Sequence, residues 1–449
     1  MFSFKKGFYT DVRIEDVFQT AISYTVGKLD ESRVRKYRAA FIRVFDGELW
    51  HYSATSDLEH IQSEIDRLYL SAKPHADIDI HPVVKAFEVH DDKILNYREN
   101  SVSEIPKKDK DALLKSFFPE LEAHQSIRMW KAVYLDSVKT VSLYSSKGTD
   151  LTFDKQRAGF SIRMTFSEGD KRLNENYQKA SDAFKSLRIN EEKERDSFKD
   201  YILKCEDFLR RARPVTPGEY TVILSPLAAG VFAHESFGHK SESDFMVGDE
   251  TLRREWSIGR KVGSDILSIV DSGLIPGSGY VPYDDEGTKA RETYLIKNGI
   301  LAGRLHSAST SAFLNEEVTG NARAVDFEYE PIVRMTTTYI MPGNKTKEEL
   351  IRDVDEGFLI ETIKHGSGLS TFTMAPSLAY RIEGGKVTEP VHISVISGNV
   401  FETLSYIDGL SDKLELLSFV TGGCGKMEQY PLPVGFGGPY VRVRNMMVQ

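Results

Sequence analysis

Two stretches of alternating side chains constrain this chain most. Residues 8–55 and 128–166 switch between polar and apolar in short runs, as in FIRVF from Phe41 and ELWHYS from Glu48. A period of two places successive side chains on opposite faces of an extended chain, so both stretches predict strands with one buried face. The breaks at Lys147-Gly148 and Ala158-Gly159 are too short for crossover helices and predict hairpins. Leu58, Ile61, Ile65 and Leu68 recur among charges at helical spacing, which predicts a helix over 58–70. Residues 170–213 are charged and expected to be helical, ending at Arg213-Pro214 and the Pro217-Gly218 turn. The carboxy-terminal half is rich in glycine and short strands, with one expected helix from Lys347 to Gly357. The class is α+β. The expected organisation is an amino-terminal domain of antiparallel strands and helices over 1–190, a helical connector over 191–214, and a β-rich domain over 215–449. At 449 residues the chain is long enough for two or three cores.

The densest chemistry is His234-Glu235-Ser236-Phe237-Gly238-His239. Two imidazoles around a carboxylate can hold a metal and activate water, as in His-Glu-x-x-His zinc sites. Here an extra residue separates the histidines. On a helix turning roughly 100° per residue, an i,i+4 pair lies about 40° apart and an i,i+5 pair about 140° apart. A straight α-helix would aim these rings poorly at one ion, and Gly238 suggests a bulge or a helix end. Upstream, Glu219–Leu224 reads as a strand. Ser225-Pro226 offers an N-cap with proline at the first helical position, and Leu227, Val231 and His234 follow on one apolar stripe. A lone histidine on such a stripe is ordinarily a core residue.

The chain has two cysteines. Cys205 falls in Phe198, Tyr201, Ile202, Cys205, Phe208 and Leu209, the buried face of an amphipathic helix, and reads as inert packing. Cys424 lies in Thr421-Gly422-Gly423-Cys424-Gly425-Lys426, where glycines clear the space around its sulfur. Such a thiol can serve as a nucleophile, a metal ligand or a tight-turn residue. Two histidines, one cysteine and a water would make a catalytic zinc set with one open position.

At these residues the chain resembles the TldD/PmbA family, also called modulators of DNA gyrase. The likeness runs from HESFGHKSESDF at His234 through DDEGTKARETYLIKNGILAGRL at Asp284, TGNARA at Thr319 and VRMTTTYIMPGN at Val333. It closes on GGCGK and the PLPVGFGGPYVRV tail, so most of 215–445 is covered. The stretch FIRVFDGELWHYSATSD matches more loosely. The resemblance implies a cytoplasmic zinc metallopeptidase of the TldD-type catalytic branch, with a β-rich carboxy-terminal metallopeptidase domain. It further implies one zinc per chain on His234, His239 and Cys424, with Glu235 as general base. Unfolded or short peptides are the implied substrates, and a homodimer or a heterodimer with a related chain the implied assembly. Glu242 and Asp244, just past the motif, are candidates to orient the ligand histidines.

Composition fits that setting. A net charge of −9, from 58 Lys and Arg against 67 Asp and Glu, argues against direct nucleic-acid binding. Two cysteines suit a reducing compartment. No apolar segment approaches 18 residues, and the start lacks an apolar signal core, so neither a membrane span nor a signal peptide is expected. Asp284, Asp285 and Glu286, closed by Gly287, match no metal loop and read as an acidic turn. Ser367 lacks a nucleophile frame, and His306, His365 and His392 lack partner motifs. A peptide added as a strand along an exposed sheet edge near the metal would suit broad specificity. Two other classes stay open: a non-catalytic regulator that binds a partner, and a metal-dependent amidase acting on a small molecule.

Overall fold

The structure is a computed structural model and describes residues 2–188, 191–368 and 370–449. The alternating runs become very long strands: β1 (Tyr9–Thr25), β2 (Lys28–Phe45), β5 (Ile127–Ser145) and β6 (Asp150–Glu168). With β3 (Trp50–Thr55), β4 (Asp91–Ile94) and β7 (Lys171–Ser181) they form a seven-stranded sheet in the order β3-β2-β1-β5-β6. At the far side of β6, β4 pairs parallel with Asp150–Phe153 and β7 antiparallel with Ala158–Glu168. The helix Ile61–Ser71 lays Ile61, Ile65 and Leu68 on this sheet. The helix Glu191–Arg211 buries Phe198, Ile202, Cys205, Phe208 and Leu209 on it.

Three expectations fail locally. Ala158-Gly159 is no break, and β6 runs straight through it. Gly159 is there for space, since a Cβ would come within 2.6 Å of Val420. Residues 171–181 form β7, whose polar side chains suit a strand buried only at alternate positions such as Leu173 and Glu175. The helix from Lys347 stops at Arg352, and Gly357 lies in the strand Glu356–Ile360. A side chain at Gly357 would strike the Thr221 carbonyl of the neighbouring strand.

The carboxy-terminal half builds two further sheets, of ten and six strands. The strand Gly218–Leu224 is central in the larger, between Val441–Val448 and Glu356–Ile360. In the smaller, Thr337–Ile340 lies between Ile269–Ser272 and Gly435–Gly438. One apolar core including Leu224, Phe232, Phe237, Met335 and Val441 joins both sheets to the helix Pro226–Phe232. That helix sits very close to its neighbour, because a Cβ at Gly230 would be 2.6 Å from Gly437. Leu378 reaches from this half into the amino-terminal core. Among the described residues no helix is long and apolar enough to cross a membrane.

Candidate metal centre

The polypeptide enters the centre as the sequence predicts. After the strand Gly218–Leu224, the Ser225 hydroxyl accepts from the Ala228 amide at 3.3 Å, and Pro226 opens the helix. At Ala233 the helix widens into a π turn that runs to Gly238, followed by a 3-10 turn at His239–Ser241. A π turn closes i→i+5 bonds and so brings residues five apart onto one side, as an α-helix does for residues four apart. The His234 and His239 rings accordingly stand 5.1 Å apart at 78°. Gly238 serves this turn through its size. Its φ of −57° is ordinary, but a Cβ would run into the Met335 sulfur.

Cys424 arrives from the other end of the chain, at the start of the hairpin Cys424–Lys426 with Gln429–Leu432. Gly422 holds a φ of +92°, and a Cβ at Gly423 would come within 2.5 Å of the Leu432 carbonyl. Glycine is required at both. The buried Arg334 pins the hairpin, donating to the Cys424 carbonyl at 2.8 Å and the Gln429 carbonyl at 3.2 Å. Cys424 Sγ then lies 3.5 Å from His239 Nε2. One ligand atom each from His234, His239 and Cys424 lie within 4.8 Å of one another, the one such group of three or more among the described residues.

The surroundings are charged. Burial alone would raise the Cys424 thiol, but His234 and His239 outweigh it and bring it down to about 5. Burial would lower His239, but hydrogen bonds to Cys424 and Glu242 raise it to about 10. Glu242 is fully buried, with its carboxylate 3.2 Å from His239 Nδ1 and 3.0 Å from Lys426 Nζ. Burial pushes the Glu242 carboxyl up; His239 and Lys426 pull it below its usual range. Asp244 touches no histidine. It takes both 2.7 Å bonds from Lys426 Nζ, one step further out.

The donor set fits a metal ion. Ligands at the usual Zn–N and Zn–S distances sit roughly 3.5 Å from each other in a tetrahedron, matching the sulfur–nitrogen separation. His234 Nδ1 is buried with no hydrogen-bond partner among the described residues, and protein alone leaves it unsatisfied.

Glu235 is not one of the converging ligands. It lines a cavity of about 640 Å³ together with Val231, Gly366, Gly422 and Gly423. One wall is the strand Ile363–Gly368, an edge strand of the ten-stranded sheet. The opposite wall comes from the amino-terminal sheet, through Trp130, Arg163 and Asn176.

Other candidates go elsewhere. His365 lies on the cavity wall. His306 is buried against Glu316 and Thr310, and His392 is exposed. The Ser367 hydroxyl pairs with that of Thr373. Cys205 is fully buried, and burial holds its thiol well above the usual range. Asp284, Asp285 and Glu286 are buried and accept from the backbone amides of Thr288, Ala322, Ala324 and Ala308. Arg334, Lys426 and Met335 fall inside the stretches that carry the family resemblance, but the sequence gives them no role; contacts distant in sequence reveal it.

Residues 217–449 match the family model described as the PmbA/TldA metallopeptidase C-terminal domain. The chain belongs to the PmbA/TldD metallopeptidase family. It is 29% identical over 456 residues to a protein named metalloprotease from Methanothermobacter thermautotrophicus, covering 98% of this chain and 95% of that one. It is 31% identical over 332 residues to a zinc metalloprotease TldD homolog from Saccharolobus solfataricus, 72% of each. The fold matches TldE from Thermococcus kodakarensis with a TM-score of 0.79 at 17% identity, over 98% of this chain and 96% of that one. A putative modulator of DNA gyrase from Thermotoga maritima gives 0.79 at 18% identity, over 99% and 96%. The relatives' names carry a metal; the distant structures establish the fold.

Proposed function

We propose that this chain is a zinc-dependent peptidase in which His234, His239 and Cys424 hold the ion and Glu235 is the general base. The observation that carries the reading is the π turn, which sends both imidazoles to the buried Cys424 sulfur and Glu235 to the open cavity. Bound there, zinc would supply Lewis acidity toward a water and a peptide carbonyl. The Glu235 carboxylate takes a proton from the attacking water and returns it to the leaving amine nitrogen. Glu242 accepts from His239 Nδ1–H, which fixes the tautomer that leaves Nε2 free on the Cys424 side. The edge strand Ile363–Gly368 offers unpaired backbone beside Glu235 for an extended peptide, which favours peptides over a single small molecule. Enclosure of the cavity by a second copy or a related chain belongs to the same proposal, and a monomer by light scattering at all concentrations would remove that part.

The deciding experiment is cleavage of an unstructured peptide by the purified chain, with and without chelator, followed by zinc readdition. Cleavage lost on chelation and regained with zinc is expected; no cleavage by the zinc-loaded protein removes the reading.

One observation favours a second reading. A thiol at about 5 beside a histidine at about 10 is also the signature of a cysteine nucleophile. Burial argues against it: Cys424 is 4% exposed and its side chain does not line the cavity. Rapid alkylation of Cys424 in the zinc-loaded protein, with unchanged zinc in Cys424→Ser, would establish the nucleophile instead.

A further inference from the structure

The register of the amino-terminal sheet gathers cations on one face. Gln19 pairs with Arg35 on β2 and Ser137 on β5, and Ser137 pairs with Arg157 on β6. In the adjacent row, Val17 pairs with Tyr37 and Lys139, and Lys139 with Lys155. Residues two apart on a strand share a face, so Arg35, Lys139, Lys155 and Arg157 project together. Ser278, Val325 and Pro433 of the carboxy-terminal half cover them and leave a cavity of about 230 Å³.

Charge in this cavity is unbalanced. Besides these four cations it is lined by Arg323, and its one carboxylate is Asp326. Lys139 is paired with Glu15 at 2.6 Å, and Arg323 donates to the Pro433 carbonyl at 2.8 Å. Arg35 rests on the Tyr37 ring at 4.5 Å. Lys155 and Arg157 are half-buried and make no side-chain hydrogen bond or ion pair with any described residue. Burial pushes the Lys155 ammonium down to about 8 and the Arg157 guanidinium to about 10, so both still carry charge at neutral pH. Lys155 feels the Asp285 charge, which Arg13 and Lys139 share, whereas Arg157 has no opposing charge among the described residues. A guanidinium facing a covered space without a counter-charge is costly to keep.

We infer that this cavity is a binding site for a small oxyanion, phosphate or carboxylate, distinct from the metal centre. Arg157 offers a planar fork for two oxygens, and Lys155 a point charge. At about 30 Å³ per water the space equals roughly eight waters, enough for phosphate or a short dicarboxylate. The site does not merge with the peptide cavity. Arg163, on the same face of β6, lines that cavity, and it lies six steps along the strand from Arg157, roughly 20 Å away. Between them Gly159 is closed by Val420.

The test is calorimetric titration of the full chain with inorganic phosphate and, separately, with succinate, at constant ionic strength set by chloride. Wild type should bind one of them with a Kd of about 1 mM or tighter, and the preferred anion identifies the oxyanion. Arg157→Gln should weaken that binding roughly 10- to 100-fold. Ser137→Glu sets a carboxylate beside Arg157, so it should abolish binding of both anions while raising the melting temperature. That gain in stability keeps the result readable even where Arg157→Gln fails to fold. Wild type that binds neither anion below about 50 mM, or a Ser137→Glu chain that binds phosphate as wild type does, overturns the site.

Discussion

The metal centre and the acidic turn at Asp284–Glu286 are both buried clusters of potential ligands, and they differ in what satisfies them. In the turn the protein supplies the donors. Asp284 accepts from the amides of Glu286, Thr288 and Ala322, Asp285 from Ala324, and Glu286 from Arg43 and Ala308. Asp285 Oδ1 alone in the turn is buried without a hydrogen-bond partner among the described residues, and Asp285 is set among the cations Lys155, Arg13 and Lys139. At the centre His234 Nδ1 has no hydrogen-bond partner among the described residues, and the sulfur and two imidazoles converge on each other. A cluster whose acceptors are mostly filled by amides and guanidinium, and whose charge is met by cations, is a joint between chain segments. A cluster whose donors face one another is arranged for something not supplied by the chain. The largest effect should therefore fall beside the open cluster: Glu235→Gln should lower peptide turnover by roughly 10² to 10⁴ with zinc retained, measured as kcat alongside metal content. Near-normal turnover would take Glu235 out of the mechanism.

The converse holds at the joint. Glu286→Ala removes the partner of Arg43 at 2.9 Å and of the Ala308 amide at 2.8 Å, both buried. It should cost about 3–5 kcal/mol in denaturant unfolding. Zinc content of the folded protein should not change. A variant that lost zinc but not stability would erase the distinction between the two clusters.

Much of this contrast was legible in the sequence, and the illegible part has a common cause. The period-two runs located β1, β2, β5 and β6 because alternation is a local signal. Ser225-Pro226 located the helix start for the same reason. The wrong readings sit where distant segments press close: Gly159 against Val420, and Gly357 against Thr221. β7 reads as helical in sequence because its side chains are mostly polar and few are buried. At the site, the spacing of His234 and His239 required a departure from the α-helix, and the π turn supplies it. The roles of Arg334, Lys426 and Met335 depend on partners 90 or more residues away for the first and on packing for the last, which no local pattern encodes.

Glu242 stands between the two kinds of cluster, since it is satisfied by protein yet touches a proposed ligand. Glu242→Gln keeps an acceptor for His239 Nδ1–H but loses the charge facing both His239 and Lys426. Zinc affinity should fall about 10- to 100-fold, read by competition with a chromophoric chelator. Unchanged affinity with lowered stability would place Glu242 with the joints.

The smallest effect should come from Asp285 and appears only in acid. Burial would raise its carboxyl, but Lys155, Arg13 and Lys139 and the Ala324 amide hold it at about 2. A carboxyl whose folded value is depressed stabilises the protein above its unfolded value near 4, and that contribution is lost as pH falls toward 2. Its full size is about 2 kcal/mol, the free-energy equivalent of that depression. Asp284, pushed up by burial, works in the opposite sense, so the wild-type profile alone mixes the two. Comparing wild type with Asp285→Asn separates them. The stability difference should be constant from pH 7 to 5 and shrink by about 2 kcal/mol on the way to pH 2. A difference that stays constant over that range would mean that Asp285 is not held ionised by the cations around it, and the acidic turn would lose its standing as the charge-balanced counterpart of the metal centre.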